Sequence, residues 1–264
     1  MIEQSRFFEY VANVLKSSSV DQVWGLLLDA TRAQGFDRLL YVSTRFLTEH
    51  SADIKEDALI LTNHHQDMVD VFVGEEIYKH TPTIAWDRNA PKVISWRKIQ
   101  DRFAETDLSE AERRMQDLSR RLGVLAGYTV TLENSDLRSR AVLGLCARAG
   151  MDQDAVDEIW MSHGEEILAI ANLAHLKMAS LPQTGQCRPL TTRQRDALLR
   201  VSDGETMQDI AAAMGLTVSA VEKILRQARV ALGVRSTVQA VKRATLLNLL
   251  SPARPAKGGR SKYL

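Results

Sequence analysis

The stretch ETMQDIAAAMGLTVSAVEKILRQARVALGV, residues 205–234, leaves this chain few ways to fold. Thr206 stands where an N-cap belongs and Asp209 follows three residues later, the spacing of a capping box. Ile210, Ala211 and Met214 then share one helical face, where small alanines let a second helix cross closely. Gly215 permits a sharp turn and Thr217 supplies the next N-cap. Beyond it Val221, Ile224, Leu225, Ala228 and Leu232 recur at the spacing of a buried stripe. The pattern is a helix-turn-helix.

The outward side of the second helix carries the chemistry. Lysine and arginine reach phosphates, and arginine and glutamine can pair with purine edges in the major groove. Thr217, Ser219, Ala220, Lys223, Arg226, Gln227 and Arg229 are therefore the expected contacts to double-stranded DNA. Glu222 on the same side fits only beside a cytosine amino group or away from phosphates. A solvated helix in an ordinary bundle would carry a similar pattern. The net charge of +1 hides an asymmetry that bears on the choice. Residues 1–187 hold 20 basic and 28 acidic side chains, residues 188–250 hold 10 and 5, and residues 251–264 hold 4 and none. The cationic excess is confined to the part that carries the helix-turn-helix, the footprint expected if only that part meets a polyanion.

At 264 residues the chain is long enough for two domains. HLKMASLPQTGQCRPL breaks a helical pattern with Pro182, Gly185 and Pro189. The expected division is a sensor and dimerisation domain over 1–178, a linker over 179–189, a DNA-binding domain over 190–250 and a disordered basic tail over 251–264. In the first part residues 2–15, 20–33, 64–78, 108–122 and 153–178 have helical spacing. RLLYVSTRF, DALILTN, GYTVTLEN and RAVLGLCAR read as strands, the last two around the polar turn Asn134-Ser135-Asp136. Helices at both ends of a group of strands predict an α+β fold. It is an α-β-α sandwich on an antiparallel sheet with room for a small ligand, followed by an all-α four-helix domain.

Other function classes find little support. Cys146 and Cys187 belong to no ligand or disulfide pattern, which fits a reducing cytoplasmic setting. The N-terminus lacks the marks of a secretory signal, and no run of about 18 uncharged apolar residues could span a membrane. No GxSxG, P-loop or HExxH appears, and no cofactor motif. His64-His65 near Asp67 and Asp70 suggests a metal, but adjacent histidines on a helix point about 100° apart. Glu75-Glu76, Asp101 and Glu105 read as exposed charges without an organised partner, so no enzyme is expected. Trp24, Trp86, Trp96 and Trp160 are more readily core residues than ligand platforms, although Trp86 and Trp96 flank the expected pocket segment.

Residues 190–250 resemble the DNA-binding domain of LuxR-type transcription regulators. The residues that carry the likeness are Leu190, Thr191, Arg193, Leu198, Gly204, Ile210, Ala211, Val221, Leu232, Gly233, Val234, Ala240 and Val241, all at the family's spacing. Gln194 replaces the usual glutamate, Ile224 a frequent histidine and Ala231 a lysine, the last of which removes a cation that would reach a phosphate. The last helix, residues 236–250, resembles a dimerisation surface, with Val238, Val241, Thr245 and Leu249 as an apolar stripe.

The first part resembles the family's autoinducer-binding domain. Counting back from Trp96, the family's Asp-Pro, Tyr and Trp places hold Thr81-Pro82, Phe72 and Met68. The proline and the final tryptophan match, and the three polar anchors are replaced. In the family those anchors hydrogen-bond an acyl-homoserine lactone. Methionine and phenylalanine cannot donate, and each unpaired ligand carbonyl costs roughly 1–3 kcal/mol. Ordinary lactone recognition then requires substitutes such as His64, His65 or Trp86. Gly123, Gly127 and Thr129 match a further motif, which could equally be a plain helix-to-strand turn, and the likeness directs the Thr129 hydroxyl into the pocket. The resemblance implies a dimeric regulator whose divergent sensor uses Met68, Phe72, Thr81, Trp86, Trp96 and Thr129 toward a small-molecule ligand. The alternative is a ligand-independent regulator or antagonist that pairs with a related regulator.

Overall fold

The structure is a computed structural model that describes residues 2–44, 58–75, 92–105, 107–133, 139–182 and 188–250. Thr81, Trp86, Cys187, the 134–136 turn, residues 183–187 of the expected linker and the basic tail lie outside the described residues. The chain forms two compact units, 1–181 and 182–264.

The first unit is built on a five-stranded antiparallel sheet in the order β2-β1-β5-β4-β3. Its strands are β1 (Phe36–Thr44), β2 (Ala58–Thr62), β3 (Val93–Ser95), β4 (Gly127–Thr131) and β5 (Arg140–Ala147). Side chains alternate across a strand, so one register sorts two environments. Leu39 and Tyr41 of β1, Leu143 and Leu145 of β5, and Tyr128 and Val130 of β4 face a core shared with α1 (Ile2–Lys16), α2 (Val20–Ala33) and the 28-residue helix α6 (Gln153–Ser180). In that layer Tyr41 Oη lies 2.8 Å from His175 Nδ1, and Tyr10 Oη donates to the Ile170 carbonyl at 2.9 Å. Trp24 and Trp160 pack against this core, Trp160 stacked on Tyr128 with ring centroids 4.2 Å apart.

The opposite face is covered by shorter pieces: α3 (Gln66–Val69), a π-helical turn (Asp70–Gly74), α4 (Arg97–Phe103) and α5 (Glu110–Leu122). Met68, Met115 and Leu118 form a small second core there, with Phe72 and Phe103 against it. The helix expected over 64–78 starts only at Gln66. His64 lies two residues beyond β2, its backbone N–H donating to Thr62 Oγ1 at 3.1 Å, and His65 is the N-cap. β3 and α4 were not evident from periodicity. A three-residue strand shows no alternation to read, and α4 has no fully buried residue and no side-chain cap.

The second unit contains α7 (Thr192–Ser202), α8 (Met207–Met214), α9 (Val218–Ala231) and α10 (Thr237–Leu246) around Leu198, Ile210, Val221, Leu225 and Ala240. Capping boxes open α7, α8 and α10, and Thr217 caps α9 by accepting from Ala220 N–H. Gln194 closes the first box as glutamate would. The last helix ends earlier than its pattern suggests. Asn248 adopts φ 54°, Leu249 N–H returns to the Ala244 carbonyl, and Leu247, Leu249 and Leu250 turn into the core. The expected stripe is therefore divided: Leu249 is buried beyond the helix, Val241 is half-buried, and Val238 and Thr245 are exposed. No described helix is long and apolar enough to cross a membrane.

Candidate functional site

A cavity of about 330 Å³ separates the sheet from α3, α4 and α5. Its floor follows from strand register. Thr62, Leu40, Gly144 and Thr129 pair in one lateral row across β2, β1, β5 and β4, and Val42 pairs with Val142 one step along. Met68, Phe72, Ile99, Phe103 and Met115 line the cavity from the helical side. Most of the wall is apolar, so it suits the body of a hydrophobic molecule.

Trp96 occupies the wall for a visible reason. A Cβ added at Gly127 would strike the Leu145 carbonyl oxygen and lie 2.9 Å from the Trp96 ring, while one at Gly144 would lie 3.7 Å from that ring. The two glycines make the space the indole fills. Its Nε1–H donates to Thr129 Oγ1 at 2.9 Å. Gly123, by contrast, serves as the left-handed C-cap of α5, and Arg38 donates to the Leu122, Gly123 and Ala147 carbonyls behind it.

The segment that carries Trp96 is also fastened to α6. Asp157 accepts from Tyr128 Oη at 2.6 Å, Gln153 Nε2 at 2.7 Å and Arg97 at 2.6 Å, and Ser95 Oγ lies within 3.3 Å. Burial alone would raise the Asp157 carboxyl, but the bonds from Tyr128, Gln153 and Arg97 hold it below the usual range. Gln153 additionally pairs with both the N–H and the carbonyl of Gly127, at 3.0 and 3.2 Å. At the other side of the cavity Arg102 binds Glu112 at 2.9 Å, Asp107 at 2.7 Å and Glu105. Hydrogen bonds from Arg102 and from the Ser109 backbone push the Glu112 carboxyl down to about 2. Two charges expected to stand alone are thus paired, Glu105 with Arg102 of α4 and Glu75 with Arg114 of α5 at 2.5 Å.

Of the sequence-selected ligand residues, the structure places Met68, Phe72, Trp96 and Thr129 together around this cavity, while Thr81 and Trp86 lie outside the described residues. His64, named only as a substitute, is a wall residue, whereas His65 is spent as a cap. The floor positions Leu40, Val42 and Gly144 were missed. The alternation of the strands could have located them once the face was known.

In the second unit Thr217, Ser219, Lys223, Arg226 and Gln227 are exposed on α9, opposite buried Val221, Leu225 and Ala228. Ser219, Lys223, Arg226 and Gln227 stand at i, i+4, i+7 and i+8 and so share one face. Ala220 is half-buried. Arg229 is too, with its guanidinium donating to Thr237 Oγ1 at 3.0 Å, so it is turned toward α10. Gly215, at φ 64°, takes the left-handed conformation that lets α9 cross α8.

A cavity-bearing α-β-α unit followed by a helix-turn-helix is the build of a sensor joined to a DNA-binding module. Residues 19–178 match the autoinducer binding domain, and residues 189–232 match sigma-70 region 4, a helix-turn-helix. The first match spans more than half of the chain, which therefore belongs to the LuxR-type family of transcription regulators. Among its relatives, the transcriptional activator protein ExpR of Dickeya dadantii is 24% identical over 211 residues, covering 76% of this chain and 82% of ExpR. EsaR of Pantoea stewartii subsp. stewartii is 24% identical over 190 residues, covering 68% and 70%. Two solved structures share the fold. SdiA in complex with octanoyl-rac-glycerol aligns over 95% of this chain and 97% of its own at 11% identity and a TM-score of 0.52. The lactone-dependent CepR2 of Burkholderia cenocepacia aligns over 67% and 96% at 16% identity and a TM-score of 0.51.

Proposed function

We propose that this LuxR-type regulator senses a small, largely apolar molecule in the cavity beneath Trp96 and reads duplex DNA with the outer face of α9. The cavity carries the first half: an apolar space of about 330 Å³ lies at the four described positions that the family resemblance selects. The residue types argue against standard lactone recognition. Met68 and Phe72 offer no donors, and the Trp96 indole N–H is already engaged by Thr129. The octanoyl-rac-glycerol in the SdiA complex is a precedent in this fold for an acyl ligand other than a lactone.

For DNA, Lys223 and Arg226 would contact phosphates or guanines, Gln227 a base edge and Ser219 a phosphate, with Thr217 and Ala220 near the backbone at the helix start. Arg229 would contribute least, since Thr237 already holds it. Two copies reading half-sites about one helical turn apart would bind together with the avidity a single helix lacks. A ligand would then act by favouring the packed sensor or the dimer. The division of labour follows the two compact units, with sensing in 1–181 and DNA reading in 182–264.

The test is mass spectrometry of small molecules released from protein purified from its native host. A stoichiometric apolar compound is the expected result. Protein that carries none and still binds its operator would leave the second reading, regulation by pairing with a related regulator.

A further inference from the structure

Ser95, Trp96 and Arg97 are consecutive, yet their side chains serve both layers of the first unit. β3 is an edge strand, and alternation along it sends Ser95 and Arg97 toward α6 and Trp96 toward the cavity. Both neighbours of the indole meet one carboxylate. Ser95 Oγ lies 3.3 Å from Asp157 Oδ1, and Arg97 donates to Asp157 Oδ2 at 2.6 Å.

The same turns of α6 hold the residue beneath the indole. Gln153, only 3% exposed, bonds both the N–H and the carbonyl of Gly127, and the Trp96 backbone N–H donates to that carbonyl at 3.0 Å. The two oxygens of Asp157 therefore divide the work. Oδ1 accepts from Tyr128 and Gln153, which ties α6 to β4, and Oδ2 holds Arg97. Arg97 also meets Asp154 at 2.7 Å, but that carboxylate is 81% exposed, and exposed pairs hold little. From this brace α6 runs to Ser180, and the second compact unit begins at Pro182. At 1.5 Å per residue the helix is about 42 Å long. It joins the cavity wall to the boundary between sensor and DNA-binding unit.

We infer that Asp157 is a positioning residue: by holding Ser95 and Arg97 on either side of the indole, it makes Trp96 and the start of α6 move as one body, so that a change in what the cavity holds is passed to α6. The inference deepens the sensor reading and rests on it.

Two variants of the full-length protein break the link from opposite ends. Asp157→Asn keeps the oxygen that accepts from Tyr128 and Gln153 and places an amide nitrogen against Arg97, while Arg97→Gln removes a half-exposed guanidinium. Hydrogen exchange of the Trp96 indole N–H, read by NMR, is expected to quicken roughly tenfold in both, the factor of one charge-assisted hydrogen bond. Amides of β1 and β5 should change less. Equal acceleration everywhere, as a brace serving stability alone would give, or none at Trp96, overturns the inference. The second measurement is anisotropy binding to the operator recovered by genomic pull-down. Gly144→Val presses its methyls on the indole from the floor and stands in for a change of occupant. In the wild-type background it should shift operator affinity about fivefold or more, and in Asp157→Asn or Arg97→Gln by no more than about twofold. A shift that persists in those backgrounds overturns the inference and leaves the sensor reading intact. No shift in the wild-type background removes the sensor reading and this inference with it.

Discussion

The contrast between Gly127 and Gly144 shows how closely single residues define the cavity. Both lie under Trp96, yet a Cβ at 127 meets a carbonyl oxygen and the indole at 2.9 Å, and a Cβ at 144 makes ordinary contact at 3.7 Å. Gly127→Ala should therefore destabilise the sensor by roughly 1–3 kcal/mol and displace Trp96, whereas Gly144→Ala should stay within about 0.5 kcal/mol of the wild type and narrow the ligand space. Urea unfolding monitored by tryptophan fluorescence checks both, and equal costs would mean that the close approach is misplaced. Residue identity alone did not foretell this pairing. Trp96 and Thr129 stood out in the sequence through the family's motifs, but the bond between them joins residues 33 positions apart and depends on the register of β3 and β4. His64 could be named from its type, and only its place in the turn after β2 separated it from His65.

Elements were legible where local chemistry and packing agree. α8 and α9 are fixed by Thr206, Asp209, Gly215 and Thr217, each of which acts within a few residues of itself, and all four take the roles their types suggest. α10 shows the limit: apolar residues continue past Leu246, yet the chain reverses at Asn248 because Leu249 and Leu250 gain more by turning into the core. β3 and α4 were invisible because non-local pairing with β4 and salt bridges to α6 hold them in place. For α9 the outward face makes a quantitative statement. Replacing Lys223 and Arg226 together by alanine leaves its buried side untouched, so the fold should be retained while operator affinity falls. The slope of log affinity against log salt should flatten by about one for each phosphate no longer neutralised. Anisotropy titrations over a salt series measure this, and an unchanged slope would put another surface on the DNA.

The molecule as a whole contains separate cores: the layers on either side of the sheet in the first unit, and the cluster around Leu198, Ile210 and Leu225 in the second. Thermal unfolding is accordingly expected in two transitions. A cavity ligand present at a hundred times its dissociation constant should stabilise only the one that reports Trp96, by about 2.7 kcal/mol. Calorimetry with and without ligand distinguishes this from a single cooperative transition, in which both would move together. The alternation along β5 carries a further implication. Leu143 and Leu145 belong to the packed side and Gly144 to the hollow side, so a slip of one residue would plug the hollow with leucine and open a hole in the packing. A misaligned copy would lose its hollow along with its packing, because one pairing sets both.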